Sequence, residues 1–395
     1  MAGVLSGYRV LDFGRYIAGP YCATLLAEFG ADVIRIEKLA GSEDRWTTPV
    51  NDDGIGALFL QINRNKRGMT LNPMKPEGQE IVRKLVESAD VVVANLPPQG
   101  LKAMKLDLES LREVKKDIIL TTVSAYGHGG PYSDRVGFDG IGQVMSGSTY
   151  MSGSEEQPVK FAAPWVDFTT AMMSAIGTLV ALMHRDKTGE GQMVEGALVR
   201  SALTIGNAAL IEQAITQINR KPTVNRGQTA GPTDIIQTKD GWVIVQVVGR
   251  PLFERWCDHV VNRPELKDDP RFTSDLDRGN NGEVLSEIAR NHAKDKTTEE
   301  VLAAYAAGSV PSGPMHNPQQ ALDDPHVQAM GFLENLDFPN LPTPAPVASA
   351  PINLSETPGG IRHRAPVLGE HTDSILNGLG YDAGAIAALR EKRVV

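Results

Sequence analysis

The sequence predicts an α/β protein: a large Rossmann-like domain on a parallel, doubly wound sheet, joined to a smaller α+β domain. Three observations carry that prediction. Short, largely apolar runs recur in the first third of the chain, at residues 8–12, 32–37, 89–94 and 117–124. Such runs suit strands buried on both faces of a parallel sheet. Helical stretches separate the first three, at 21–29 (closed by Gly30) and 76–88, where Ile81, Val82, Leu85 and Val86 share one face, as βαβ crossovers require. From about residue 221 the texture changes to polar, Gly/Pro-containing connections, one alternating strand at 241–248 and charged helical segments at 281–292 and 298–307.

Composition narrows the classes. The 395 residues are 41% hydrophobic and 22% charged, ordinary for a soluble globular protein with room for two or three domains. The net charge of −9 argues against a nucleic-acid binder but leaves room for a local basic pocket around one phosphorylated ligand. Cys22 and Cys257 offer neither a disulfide framework nor zinc spacing, and no second histidine accompanies His128 at metal-ligand spacing, so no metal site is expected. A small buried residue is the expected role of Cys22. The first residues lack the basic start and apolar core of a signal peptide. The uncharged run before His184 falls short of a membrane span. The expectation is a cytoplasmic protein that engages neither nucleic acid nor membrane.

Taken in order, the first strand leads into a turn, FGRYIAGP, without the G-x-G-x-x-G of a dinucleotide site. Glu37 at the end of the second strand is therefore weak support for a nicotinamide cofactor. Lys38 beside it either meets a phosphate or is solvated. Arg64, Lys66 and Arg67 cluster in NRNKRG, as a phosphate contact or as a solvated turn. The third strand ends at Asn95, Leu96 and Pro97, with Lys102 shortly beyond. Strand carboxyl ends bind ligands in open α/β sheets, so these residues form a candidate wall. The fourth strand runs into a glycine-rich loop, AYGHGGPYSDRVGFDG, and residues 192–199 read as a further strand or helix start.

The most informative stretch is residues 161–184, where Asp167 is the one carboxylate in an otherwise uncharged run that reads as a buried helix. Asp167 stands just before that helix, where it either caps the first N–H groups or, desolvated between Trp165 and Phe168, acts as a nucleophile already ionised at pH 7. Toward the end of the chain, residues 338–360 read as a semi-rigid Pro-rich linker and residues 369–391 contain a short amphipathic helix. The expected divisions are 1–220 for the large domain, 221–331 for the small one, and 332–395 for a return that completes the large one.

An ordered set of segments across the chain resembles the family III CoA-transferases, the group that includes formyl-CoA and carnitine CoA-transferases and the α-methylacyl-CoA racemases. The set includes VLDFGRYIAGPYCATLLAEFGADVIRIEK, NRNKRGMTLNPMKPEGQEIVRKLVESADVVVANL, SAYGHGGPYSDRVGFDGIGQVMSG and SVPSGPMHNPQQALDDPHVQAMGF. The resemblance implies an interlocked-ring homodimer, an acyl-CoA donor, a carboxylic acid acceptor, and coenzyme A as substrate with no permanently bound cofactor. It places the family's aspartate nucleophile on Asp167. CoA contacts fall on Ile17 and Ala18, on Lys38, on Leu71, Asn72, Pro73 and Met74, on Asn95, Leu96 and Pro97, and on Val123, Ser124, Ala125 and Tyr126. Two departures stand out. Ile17 replaces a glutamine of formyl-CoA transferase, which argues against formyl-CoA/oxalate exchange. Ala103 replaces an expected basic residue, with Lys102 next to it as a substitute contact. Residues 226–231 are the counterpart of a glycine-rich loop over the active site. The racemase histidine of a G-H-D triplet is missing, since the matching residues are Gly137, Phe138 and Asp139, so a racemase is the runner-up. A non-catalytic acyl-CoA-binding protein is a further alternative.

Overall fold

A six-stranded parallel sheet organises the larger of two compact units in the computed structural model, which describes residues 3–395. Its strands are β1 (Arg9–Asp12), β2 (Asp32–Glu37), β3 (Lys66–Thr70), β4 (Val91–Ala94), β5 (Ile119–Ser124) and β6 (Met193–Ala197), in the order β3-β2-β1-β4-β5-β6. Neighbours are parallel throughout, with Leu11 opposite Ile34 on one side and Val92 on the other. Alternate side chains feed two cores. Val10, Val33, Val91, Val93 and Ile119 enter one, and Leu11, Ile34, Ile36, Val92 and Leu120 the other. That division explains why the strands read as continuous apolar runs.

Helix α1 (Ala18–Glu28) follows β1, and α2 (Pro76–Glu87) crosses from β3 to β4 with Pro76 in its first turn, where a missing N–H costs nothing. Helices α3 (Asp139–Met145) and α4 (Trp165–Thr188) lie between β5 and β6, and α5 (Leu198–Thr216) follows β6. Helix α4 ends at Gly189 with φ 75°, the left-handed cap glycine favours. Its 24 residues, with an 18-residue window of mean hydropathy 1.5, meet the length and composition of a membrane span, which the uncharged run alone did not. Half of that window is buried within the protein, and small residues (Ala171, Ser174, Ala175, Thr178) lie on the buried face.

The smaller unit comprises residues 147–160 and 210–327. Antiparallel strands β7 (Thr233–Gln237), β8 (Trp242–Gln246) and β9 (Ser312–Pro314) pack with α6 (Gly282–Ala293) and α7 (Thr298–Ala307) around Trp256, whose indole N–H donates to Tyr305 Oη at 3.1 Å. The larger unit takes residues 3–146, 161–209 and 328–395. One seam thus falls after Ala209, inside α5, where no change of composition marks it.

Three readings of the sequence are corrected. The Arg64, Lys66 and Arg67 cluster leads into strand β3 and is held in ion pairs, those of Arg64 and Lys66 buried and that of Arg67 partly exposed. Arg64 Nε donates to Glu28 at 2.8 Å, Lys66 Nζ to Asp12 at 2.8 Å, and Arg67 pairs with Asp32 at 2.7 Å. The Pro-rich segment is partly strand, because β11 (Ala345–Ala348) pairs antiparallel with β10 (Leu333–Leu336). The last segment holds two helices, α8 (Thr372–Gly378) and α9 (Ala383–Glu391), which place Ile375, Leu376, Ile386 and Leu389 in the same core as Leu11 and Ile34.

Candidate active site

In a sheet of this order the crevice opens where the strand order reverses, between β1 and β4 at their carboxyl ends. The turn after β1 sits there, and side chains hold its backbone on both flanks. Asp12 Oδ1 accepts from Gly14 N–H at 2.8 Å, and Arg35 donates to Gly14 C=O. Asn95, at the end of β4, accepts from Arg15 N–H at 2.5 Å and donates to Arg15 C=O at 2.7 Å. Beneath lies a fully buried charge network: Arg35 reaches Asp12 at 3.3 Å and Asp44 at 3.0 Å, and Lys66 reaches Asp12 at 2.8 Å. Burial pushes the Asp12 carboxyl up, but Lys66 and Arg35 outweigh it and hold it below the usual range. Burial likewise draws the Lys66 ammonium down to about 8 despite Asp12. Charges paired this closely inside a protein fix geometry more than they add stability.

One side of this turn lines a small open cleft, with Phe13, Gly14 and Arg15 facing Lys38, Leu71, Pro73 and Leu96. Four of the residues expected to contact CoA thus come together there. Lys38 pairs with Glu43 at 2.5 Å and remains half exposed. Glu37 is spoken for: Arg45 donates to both its oxygens, at 2.8 and 2.7 Å, which leaves no free carboxylate for a ribose. Asn72 folds back to accept from Met74 N–H at 3.1 Å, and the Met74 side chain is exposed. Pro97 caps a short helix, Pro98–Ala103, on which Lys102 and Ala103 are exposed outside the lining of this cleft.

The other side of the turn meets the start of α4. Ala18, Val123, Ala125, Val166 and Leu198 form one apolar cluster, with Tyr126 and Trp165 against it. Ile17, Tyr21 and Ala171 form another, with Phe168 packed on it. Ser124 Oγ accepts from Gly127 N–H at 2.9 Å and so turns the chain after β5. Tyr16 adopts the left-handed φ of 56°, unusual for a bulky residue. Its ring meets Phe138 edge-to-face at 5.1 Å.

Asp167 is 9% exposed and stands within the first turn of α4, not before it. The cap is supplied from elsewhere. Asp139, on α3, accepts with one carboxylate oxygen from Val166 N–H at 2.8 Å and Asp167 N–H at 3.2 Å. Trp165 N–H donates to Ala163 C=O and Phe168 N–H to Pro164 C=O. The leading N–H groups of α4 are therefore all engaged. Burial first, and the Asp139 charge second, push the Asp167 carboxyl up to about 7, while the Asp139 backbone N–H pulls the other way. The expectation of a carboxylate fully ionised at pH 7 is thereby corrected, because desolvation and a like charge both favour the neutral acid.

Sequence reading missed the roles of Asp139, Tyr16 and the Asp12–Arg35–Lys66 network. Charged residues inside strand-like runs were the available signal for the network; nothing local marks Asp139 as the cap of a helix that begins at Trp165. His128 is exposed, its backbone N–H donating to Glu195 at 3.0 Å. Among the described residues no three His, Cys, Asp or Glu side chains are grouped to hold a metal ion. Residues 226–231 form a turn within the smaller unit, where Arg226 pairs with Glu283 at 3.0 Å.

Comparison with known proteins names the class that this fold and site define. The profile of CoA-transferase family III matches residues 5–372. The succinyl-CoA–L-malate CoA-transferase beta subunit of Chloroflexus aurantiacus is 34% identical over 99% of this chain and 98% of that protein. The succinate–glutarate CoA-transferase of Agrobacterium fabrum is 32% identical over 94% of both. A crystal structure of a CAIB/BAIF family protein from Brucella suis superposes with a TM-score of 0.83 at 29% identity, covering 96% of this chain and 100% of that one. The chain belongs to CoA-transferase family III: it is an enzyme that moves CoA between an acyl-CoA thioester and a carboxylic acid.

Proposed function

We propose that the enzyme takes CoA from a dicarboxylic acyl-CoA of the succinyl-CoA type and delivers it to a second carboxylic acid through covalent intermediates on Asp167. The observation that carries this reading is the placement of Asp167: a nearly buried carboxyl beside an apolar cluster, next to the turn that lines the cleft at the sheet's switch point. The relatives above are named for succinyl-CoA or succinate, which supports the donor.

In this reading the ionised Asp167 attacks the donor thioester carbonyl, and the CoA thiolate leaves an aspartyl mixed anhydride. The thiolate then attacks the aspartyl carbonyl, forming an aspartyl-CoA thioester and releasing the donor acid. The acceptor carboxylate attacks that thioester, giving a second anhydride and free thiolate, and the thiolate attacks the acceptor acyl carbonyl. Asp167 is regenerated, and one thioester has replaced another. Water is the competitor at each intermediate, and the apolar walls from Ile17, Val123, Val166 and Phe168 serve to exclude it. The helix N–H groups near Asp167, already bonded, are not the donors for the oxyanions, so other groups serve that purpose.

CoA lies along the ends of β1 to β5 in this reading, against Ile17, Ala18, Lys38, the 71–74 and 95–97 turns and residues 123–126, with Lys102 near its outer end. The protein works as a homodimer in the cytoplasm. A run of exposed apolar side chains on α4, with Met172, Met173, Ile176, Val180 and Met183 each at least 40% exposed, supports a second copy covering that face. A racemase is disfavoured, because Phe138 stands where that chemistry needs a base.

The test is trapping. The protein is incubated with succinyl-CoA, quenched with hydroxylamine or borohydride, and its peptides weighed. Modification confined to the Asp167 peptide and absent in Asp167→Ala supports the reading. No label with any acyl-CoA, together with exchange of the α-proton of an α-methylacyl-CoA in heavy water, replaces it with proton-transfer chemistry.

A further inference from the structure

Asp139 and Asp167 are tied together at the start of α4: Asp139 accepts from the Val166 and Asp167 N–H groups, and the Asp139 backbone N–H acts on the Asp167 carboxyl. Asp139 is 7% exposed, and its hydrogen-bond donors are neutral: Val166 N–H, Asp167 N–H and Gln143 Nε2. An anion in that position is stabilised by the N–H groups and the positive end of the helix dipole. Asp167, in the first turn of the same helix, has its carboxyl pushed up first by burial and then by the Asp139 charge, against the pull of the Asp139 backbone N–H. A like charge beside a buried carboxyl disfavours its ionisation, on top of the burial itself. Other ionisable groups lie on neighbouring elements: Tyr21 and Cys22 on α1, Glu195 on β6, Arg200 on α5 and Arg15 in the turn before α1. The charge that bears on Asp167 is that of Asp139.

We propose that Asp139 is a positioning residue for CoA transfer: seated on the leading N–H groups of α4 beside the nucleophile, it acts together with burial to govern when the Asp167 carboxyl gives up its proton, and so when the nucleophile becomes available. The proton leaves Asp167 to solvent before attack, and the oxyanion it leaves behind is the group that adds to the thioester. Below the pH of that release the empty site holds the neutral acid and is silent. The kinetic consequence rests on the reading of Asp167 as nucleophile; the location of the proton is a property of the free protein and does not.

The experiment uses full-length protein labelled with ¹³C at the aspartate side-chain carboxyl, the Asp167 resonance being assigned by its loss in Asp167→Asn. In wild type the titration midpoint is expected at about 7. In Asp139→Asn, which keeps an acceptor oxygen for the helix but removes the charge, it falls by about one pH unit or more, roughly tenfold in proton affinity. In Asp139→Glu, which restores the charge, the midpoint stays high. The acid limb of kcat/KM with succinyl-CoA moves with the midpoint in each variant, which a merely structural cap would not produce. A wild-type midpoint below about 5, in the ordinary carboxylate range, or an Asp139→Asn midpoint equal to that of wild type, overturns the proposal. The wild-type titration alone decides if Asp139→Asn does not fold. If the midpoint shifts while kcat/KM does not follow, the proton's location stands and the nucleophile reading fails.

Discussion

Asn95 holds both backbone polar groups of Arg15, accepting from its N–H at 2.5 Å and donating to its C=O at 2.7 Å. One side chain at the end of β4 thus fixes the turn after β1, across the point where the sheet's strand order reverses. No Arg15 side-chain contact is involved, so the link acts on backbone shape alone.

Asn95→Ala removes two bonds and leaves those to Asp12 and Arg35 in place. The expected result is a KM for acyl-CoA raised about tenfold, as for loss of roughly 1.4 kcal/mol of binding. The stability cost is about 1–2 kcal/mol. Steady-state kinetics with denaturant unfolding checks both; an unchanged KM removes this turn from the binding surface.

Asp167 gives stability a definite pH dependence. Its native carboxyl is pushed up to about 7 by burial and Asp139, so between the ordinary carboxylate range and that value the folded protein holds a proton the unfolded chain has lost. Stability therefore falls as pH rises through that window and stays lower above it. Asp167→Asn has no such penalty. Relative to wild type it gains about 2–4 kcal/mol between pH 4 and pH 8, while CoA transfer is lost. Melting temperatures of both proteins at the two pH values test this; an equal difference at both refutes the raised carboxyl.

Gly78 sits in the first turn of α2, and a Cβ there would lie 2.0 Å from Asn72 C=O. Backbone must move to admit it, and the backbone concerned joins Leu71 to Met74, residues expected to contact CoA. Gly78→Ala should destabilise by more than about 2 kcal/mol, as overpacking against backbone does. It should also weaken acyl-CoA binding, measured by calorimetry on the folded fraction. An alanine variant with wild-type stability would show that the 71–78 connection yields freely.

Arg64 and Glu28 are buried together, 1% and 0% exposed. Burial pushes the Glu28 carboxyl up, against the pull of Arg64. Arg64→Met leaves that carboxyl without its partner and should cost about 3–5 kcal/mol. Adding Glu28→Gln should recover part of the loss. Equal unfolding midpoints for the single and double variants would show that the pair contributes through packing, with no coupling between the charges.

The sequence by itself determined the strands β1, β2, β4 and β5 and the parallel crossover logic, because a strand buried on two faces is largely apolar. It singled out Asp167 by the same physics, as one charge in a run that otherwise avoids charge. It misread β3, since Lys66 and Arg67 look solvated until register sets them beside Asp12 and Asp32, and Lys66 and Asp12 are 54 residues apart. Only the tertiary structure decided which charge stands beside Asp167. The carboxylate that caps its helix comes from α3, 28 residues earlier at Asp139. Periodicity encodes which face of an element is buried; it carries no record of which charges that burial brings together.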